Sequence, residues 1–270
     1  MNKRLIIIFV CLAIFVLTLV VGAVVFTVSD VNILLQSDKN VAFDKTKILE
    51  TSGIKKGQSI FTIDSDEAKA KIEKQFPKLN VIKIERAFPN KVRIHLDART
   101  AILKIPVANS DKFLLLDYRF DEENKISKIK ILDMVIDDGE IYDDEKVVLV
   151  NGYEYSCGDN PVGDFISDDN VQINALKDIL HTLDTLEVVN ERVPATFDSI
   201  SIAEDNTIRL KTVLGLTLVI RTEATVSVQR QMEIIYSKFY SYQDEDREKP
   251  NYLYINNNGD LINSPKIEFN

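Results

Sequence analysis

The sequence predicts an α+β protein with a single N-terminal transmembrane helix followed by two mixed domains. Residues 5–28 form a stretch of 24 residues without a charge. Beyond it, apolar residues recur at helical spacing in some segments and alternate at strand spacing in others, and this happens twice along the chain. Sheets that carry helices on one face bury both kinds of apolar surface, which favours the α+β class.

The uncharged segment at 5–28 is long enough to span a membrane. At 1.5 Å of rise per residue it crosses a hydrocarbon core of about 30 Å with room for tilt. Lys3 and Arg4 precede it and Asp30 follows it, so the positive-inside rule places a short head, residues 1–4, in the cytoplasm and the rest outside. The alternative is a cleaved signal peptide, but the segment is about twice as long as the usual apolar core of such peptides. We therefore expect a single-pass protein of the cell membrane.

The charge beyond the predicted span limits the possible partners. Once Lys3 and Arg4 are set aside, 31 basic residues face 42 acidic ones, a formal charge of −11. Such a surface repels phosphate backbones and anionic headgroups, so nucleic-acid binding is not expected. Cys11 lies in the span and Cys157 outside it, which leaves no intramolecular disulfide. Stability must come from hydrophobic cores.

The first domain, predicted over 29–101, begins with a strand at 31–38 (VNILLQSD). A helix follows in which Phe43, Ile48 and Leu49 recur at helical spacing, and Gly53 is expected to cap its end. Asp64 or Ser65 is expected to cap a second helix. The apolar stripe of that helix consists of Ala68, Ile72 and Phe76.

Two Phe-Pro pairs then enclose the first strand of a β-hairpin. Pro77 cannot continue the second helix, so the first pair ends it. The run LNVIKIERA is typical of a strand, and Pro89-Asn90 of a turn. KVRIHLDA at 91–98 alternates between an apolar face and a charged face that includes His95. The predicted order is strand, helix, helix, strand, strand.

This order and its motifs resemble the POTRA domain of the DivIB/FtsQ cell-division family. The resemblance rests on a loop corresponding to the family's "GxNIF", on the Phe-Pro that ends the second helix, and on a hairpin corresponding to "VxRxFPNxLxIxV". The residues that carry it are Gly57, Phe61, Phe76, Pro77, Arg86, Phe88 and Pro89. The family's Glu-Arg-x-Pro would fall on 98–101, where Arg99 alone matches, and the head of residues 1–4 is short for the family.

A second mixed domain is predicted over 102–245, with a final strand and tail at 246–270. Strand patterns surround acidic stretches between 112 and 150, and VQINALKDILHTLDTLEVV at 171–189 predicts a helix whose polar face carries Lys177 and His181. A hairpin, a third strand and another helix follow, and YLYIN closes the pattern. The inward candidates of the hairpin are Ile200, Ile202, Ile208 and Leu210. The order also resembles the family's second extracytoplasmic domain, which ends near "YIDV" followed by a glycine.

No catalytic or metal site is expected, and no cofactor. His95 and His181 each lie on a polar face and are interpreted as solvated. Cys157 has no basic neighbour that would activate it as a thiolate. The acidic stretches at 121–124 and 137–145 lack the spacing of a calcium loop and are interpreted as solvated turns. We expect a protein that is not an enzyme.

The resemblance implies a non-catalytic divisome scaffold at the division septum. Its implied partners are single-span coiled-coil division proteins of the FtsL and DivIC/FtsB type and, through them, the septal peptidoglycan synthase. Strand addition to an open sheet edge is the physical device. The first candidate edge is the final strand, formed by Tyr252, Leu253, Tyr254, Ile255 and Asn256, and the second lies on the POTRA hairpin at 91–96. The alternative function is a POTRA-type chaperone or transport module for polypeptide transfer at a membrane.

Overall fold

The computed structural model describes residues 11–17, 22, 24–36, 43–121, 125–136, 146–156, 158–167, 170–186 and 193–269. Part of the predicted span, residues 5–10, 18–21 and 23, lies outside them. Within the described part, residues 11–17 are helical, and the N–H of Phe26 donates to the carbonyl of Gly22 at 3.1 Å, as in a last helical turn. No described helix combines the length and the apolarity needed to cross a bilayer.

The chain divides into two compact units, Met1–Arg99 and Thr100–Asn270. We call them the N-terminal and the C-terminal unit. The N-terminal unit contains strand β1, helices α1 and α2, and strands β2 and β3. In chain order these are Asp30–Leu35, Lys45–Ser52, Ser65–Gln75, Leu79–Ala87 and Lys91–Ala98. A single 3-10 turn, Ile60–Thr62, precedes α2.

The elements of the N-terminal unit confirm the strand, helix, helix, strand, strand order. The sheet order is β1-β3-β2, with β1 parallel and β2 antiparallel to β3. Asp64 caps α2 by accepting from the N–H groups of its first turn, and Gly53 ends α1 with φ +71°, both as predicted. Helices and sheet share one core, which includes Ile48, Ile72, Val81, Ile94 and Leu96.

The C-terminal unit is built on one mixed sheet of nine strands. The sheet order is β12-β11-β10-β9-β8-β7-β4-β5-β6. In chain order β4 to β12 are Leu103–Pro106, Lys112–Asp121, Ile126–Ile136, Val148–Asn151, Phe197–Ile202, Thr207–Thr212, Thr217–Arg221, Tyr252–Ile255 and Leu261–Ser264. The mixed α+β class is confirmed, because the sheet contains both parallel and antiparallel strand pairs and is combined with helices.

Two long helices cover the apolar face of this sheet. They are α3, Val171–Thr185, and α4, Val228–Ser241. Two further helices, Val193–Thr196 and Asp244–Arg247, are single turns of four residues. The hairpin positions expected to point inward do so, since Ile200, Ile202, Ile208 and Leu210 belong to the core under the helices. Asn170 caps α3 and Ser227 caps α4 through side-chain oxygens.

Both predicted sheet edges need correction. Strand β3, the candidate at 91–96, is the central strand of its sheet because β1 pairs with its outer side. Strand β11, the candidate at Tyr252–Ile255, pairs with β10 on one side and with β12 on the other. The actual last strand is β12, which lies in the segment predicted as the tail after the final strand. The prediction also omitted β4.

Three polar side chains that were expected to be solvent-exposed are buried or half-buried. Lys177 is buried, not exposed on a polar face, and its ammonium donates to the carbonyl of Ile166 at 3.3 Å. Burial lowers the pKa of Lys177. His181 is half-buried and stacks on Phe120, with ring centroids 4.2 Å apart. His95 is half-buried and bonded to Glu85. Both histidines were interpreted as solvated because a strand or helix period does not show what packs over its polar face.

Several predictions fall on residues outside the described part. These are most of the acidic stretches at 121–124 and 137–145, Cys157, and the end of the helix predicted to reach residue 189. Among the described residues, no three or more His, Cys, Asp or Glu side chains are grouped so that they could hold a metal ion.

Candidate POTRA surface and sheet edge

The loop before α2 is hydrogen-bonded to the end of the apolar N-terminal segment. Gly57 donates its N–H to the carbonyl of Val28 at 2.8 Å, and Val28 donates to the carbonyl of Gln58 at the same distance. Ile60 donates to the carbonyl of Phe26, also at 2.8 Å. Gly57 has φ +87°, a left-handed conformation that favours glycine, so its place in the motif has a backbone cause.

The β2–β3 turn meets the same stretch of chain. The carbonyl of Asn90 accepts hydrogen bonds from the N–H and the hydroxyl of Ser29, at 2.8 and 3.1 Å. The guanidinium of Arg86 donates to the carbonyl of Ile63 at 2.7 Å, which ties the end of β2 to the loop before α2. The loop and the turn are therefore fixed to each other and to residues 26–29.

Three phenylalanine rings meet where these segments come together. Phe26 and Phe61 have ring centroids 5.3 Å apart, Phe61 and Phe88 5.7 Å, and Phe26 and Phe88 6.3 Å. Phe61 is 58% exposed and Phe88 is 61% exposed. We call these three rings the phenylalanine patch.

The other motif residues lie at the end of a helix or in a turn. Phe76 ends α2, donates its N–H to the carbonyl of Ile72 at 2.8 Å and is half-buried against the core, as expected. Pro77 follows in the turn before β2, and Pro89 lies in the turn between β2 and β3. The motif residues thus set the ends of the elements, and Gly57, Phe61, Arg86 and Phe88 come together at one end of the unit.

The comparison with family models matches residues 28–99 to the POTRA domain, FtsQ-type. The chain carries an FtsQ-type POTRA domain. The match covers β1 to β3 and all seven motif residues, and it supports the predicted assignment to the DivIB/FtsQ family. A comparison with curated proteins finds no match to the chain.

A polar cluster lies on the hairpin of the POTRA domain. The imidazole Nε2 of His95 is 3.1 Å from Glu85 Oε2, and Gln36 contacts the other ring nitrogen at 3.3 Å. Lys83 and Arg93 lie 3.8 and 3.5 Å from the Glu85 carboxylate. The hydrogen bond from His95, followed by these positive charges, lowers the pKa of Glu85.

Replacing Glu85 with glutamine is expected to reduce the acid sensitivity of the POTRA domain. A carboxyl whose pKa is lowered on folding adds stability above its ordinary pKa of 4.5, and this contribution is lost as pH falls through the lower folded pKa. Thermal unfolding measured from about pH 6 to pH 3 should therefore show a shallower decline for Glu85→Gln than for the unchanged chain. Parallel curves would contradict this role for Glu85.

The free edge of the nine-stranded sheet lies at β12. At the other end, the segment 163–166 covers part of β6, because Ile131 donates to Asp164 and Ile166 donates to Ile129, each at 2.9 Å. No described strand pairs with the outer side of β12. Asn256 donates to the carbonyl of Asp260 at 3.0 Å and closes the turn. By the alternation of an antiparallel ladder, the main-chain N–H and C=O groups of Leu261 and Asn263 then point outward.

The predicted binding residues on β11 contribute to this edge indirectly. Leu253 and Ile255 point into the core beneath the helices. Tyr254 is buried, and its hydroxyl donates to the carbonyl and accepts from the N–H of Glu268, both at 3.0 Å. The ring of Phe269 packs edge-on against it at 5.3 Å. Tyr254 therefore holds the C-terminal tail, and its own hydrogen-bonding capacity is used within the chain.

Arg221 links the tail to the β11–β12 turn. Its guanidinium lies over the Phe269 ring at 4.4 Å and donates to the side chain of Asn257 at 2.6 Å. A small cavity beside this turn is lined partly by Thr225, Ile255 and Asn256. The cation–ring contact and the hydrogen bond fix the position of the turn from which β12 begins.

Strand β12 was missed although the sequence contains a signal for it. Asn258-Gly259 is the pair that favours a tight hairpin turn, and it stands between YLYI and LINS. Gly259 has φ +87°. We interpreted the glycine only as a family marker, and the four residues after it were too few to be recognised as a strand.

Proposed function

We propose that the protein is a non-catalytic scaffold of bacterial cell division, anchored in the cytoplasmic membrane by residues 5–28. The observation that carries the proposal is the FtsQ-type POTRA domain at 28–99. The apolar segment and the basic residues before it support the anchor, with both units on the outer side of the membrane. The protein then belongs to the division septum.

The binding mechanism is strand addition at β12. A partner segment in extended conformation would pair with the outward main-chain groups of Leu261 and Asn263 and extend the sheet by one strand. The side chains around the edge are polar or partly exposed, including Asn263, which accepts from Asn251 at 2.9 Å and donates to Tyr242 at 3.2 Å. Main-chain pairing supplies affinity, and these side chains supply specificity.

The proposed partners are single-span coiled-coil division proteins of the FtsL and DivIC/FtsB type. Such proteins share the same membrane, so two-dimensional confinement raises the effective concentration of their outer segments near β12. Through them the scaffold would help to assemble or stabilise the septal peptidoglycan synthase complex. Tyr252–Asn256 support the edge strand in this scheme and are not themselves the pairing surface.

Imaging in dividing cells tests the proposal. A fluorescent protein fused to the cytoplasmic end should form a band at midcell that appears together with the septum. A uniform outline of the cell that ignores division would contradict the scaffold function. That distribution would instead favour a POTRA-type module for polypeptide transfer.

A further inference from the structure

The phenylalanine patch is placed where the chain leaves the predicted membrane span. Phe26 belongs to the uncharged segment 5–28, and its N–H still closes a helical turn with Gly22. Phe61 and Phe88 are far from it in sequence, yet their rings lie within 6.3 Å of the Phe26 ring, centroid to centroid. Phe61 and Phe88 therefore lie close to the depth at which the segment leaves the bilayer.

The patch cannot easily turn away from that position. Four main-chain hydrogen bonds, each 2.8 Å long, join residues 26–29 to the loop that contains Phe61 and to the turn that contains Phe88. They hold this loop and this turn in place. Val28, two residues after Phe26, and Ile60, directly before Phe61, are buried in the POTRA core. The two exposed rings are therefore carried by segments that are hydrogen-bonded to residues 26–29.

Exposed phenylalanines carry a cost in water that a membrane interface removes. Phe61 and Phe88 are each more than half exposed and their rings lie next to each other. Adjacent exposed apolar side chains mark a surface that contacts a protein or a membrane. Phenylalanine occurs on the apolar faces of interfacial segments, at the boundary between headgroups and acyl chains, and the predicted span ends at such a boundary.

Three exposed lysines next to the patch suit an anionic headgroup layer, and the one carboxylate beside them on β1 is Asp30, in register with Lys91. Lys55 and Lys56 lie exposed in the same loop as Phe61, and Lys91 lies exposed just after the turn that carries Phe88. The acidic residue nearest to Phe61 along the loop is Asp64, whose carboxylate accepts from two N–H groups of α2. The acidic balance of the whole outer part predicts repulsion from such lipids, so these lysines run against the general trend.

We propose that Phe61 and Phe88 insert into the interfacial region of the membrane next to Phe26 and fix the orientation of the POTRA domain on the bilayer. The inference rests on the membrane anchoring in the proposed function. The occupant of the patch is lipid, at the depth of glycerol backbones and upper acyl chains, with Lys55, Lys56 and Lys91 at the headgroups. The POTRA domain is then held by a second contact besides the span.

Spin-label depth measurements on the full chain test this inference. The chain, with Cys11→Ser and Cys157→Ser, is placed in nanodiscs of phosphatidylglycerol and phosphatidylethanolamine. One nitroxide is attached at a time through Phe61→Cys, Phe88→Cys or Ile82→Cys. Ile82 is the matched control because it is an apolar residue, 42% exposed, on β2 of the same domain. It lies six residues from Phe88, about 20 Å along an extended strand.

We expect labels at 61 and 88 to be several times more accessible to oxygen, relative to a water-soluble nickel chelate, than the label at 82. Equal ratios at all three positions would overturn the inference and would leave a protein partner as the occupant of the patch. A fourth label through Leu12→Cys reports on the anchor itself. A water-exposed label at 12 would reject the membrane anchoring, whereas a lipid-exposed label at 12 with water-exposed labels at 61 and 88 rejects only the patch contact.

Discussion

Replacing Asn263 with proline is expected to weaken strongly the binding of a partner strand to the outer edge of β12. Proline has no main-chain N–H, and the N–H of Asn263 is one of the two that point outward from this edge. Its partner across the ladder, Leu253, stands at a position where the two strands do not exchange hydrogen bonds. The change therefore removes a donor from the edge while the bonds between β11 and β12 remain.

The expected loss of affinity is about tenfold to a hundredfold, because a carbonyl of the partner left without its donor costs about 1–3 kcal/mol. Binding can be measured with the full chain in nanodiscs and the purified outer segment of a coiled-coil division partner from the same organism. Asn263→Ala is the matched control, since it removes the side-chain bonds to Asn251 and Tyr242 but keeps the main-chain donor. If the proline and alanine variants bind equally well, partners do not pair with β12.

Replacing Arg99 with alanine is expected to destabilise the POTRA domain by about 3–5 kcal/mol, the usual cost of removing one partner of a buried ion pair. Arg99 and Glu73 are each only 8% exposed, and their closest charged atoms are 3.6 Å apart. The guanidinium also donates to the carbonyl of Leu79 and to the side chain of Asn80, at 3.3 and 2.9 Å. Its removal takes a positive charge away from a carboxylate that is buried on α2.

Urea unfolding followed by amide hydrogen exchange of β2 and β3 measures this effect in the full chain. The exchange readout is needed because Tyr and Trp are absent from residues 1–99, so intrinsic fluorescence does not report on that unit. Arg93→Ala serves as control, because Arg93 is exposed and pairs with Glu85 at 3.5 Å on the surface. Such a pair contributes about 0–1 kcal/mol. Equal losses of unfolding free energy in the two variants would contradict the larger effect expected for the buried ion pair of Arg99.

The role of Arg99 also bears on the family resemblance. It is the one residue of the Glu-Arg-x-Pro stretch that this chain keeps. Its main-chain N–H donates to the carbonyl of Lys78 at 2.8 Å, and its side chain reaches α2 and β2. The arginine thus joins the end of β3 to the start of β2. Its retention has a structural explanation that does not require contact with a partner.

Local elements of this protein could be predicted from the sequence because their causes lie within a few residues. The helix stripe of Ala68 and Ile72, the cap at Asp64 and the left-handed glycine at 53 depend on neighbours at most four positions away. The alternation in KVRIHLDA fixed its buried face for the same reason. The motif residues of the POTRA domain belong to this group, since most of them begin or end an element.

Only the tertiary structure decided which strands form edges, which side chains are covered and which distant residues meet. Sheet order depends on pairing between strands that lie far apart in sequence, such as β1 with β3 and β10 with β11. For that reason β3 became central and β12, not β11, became the edge. Lys177 is buried because a loop packs over a face that its helix leaves polar. The phenylalanine patch forms because hydrogen bonds join three separate segments, a contact that no local period encodes.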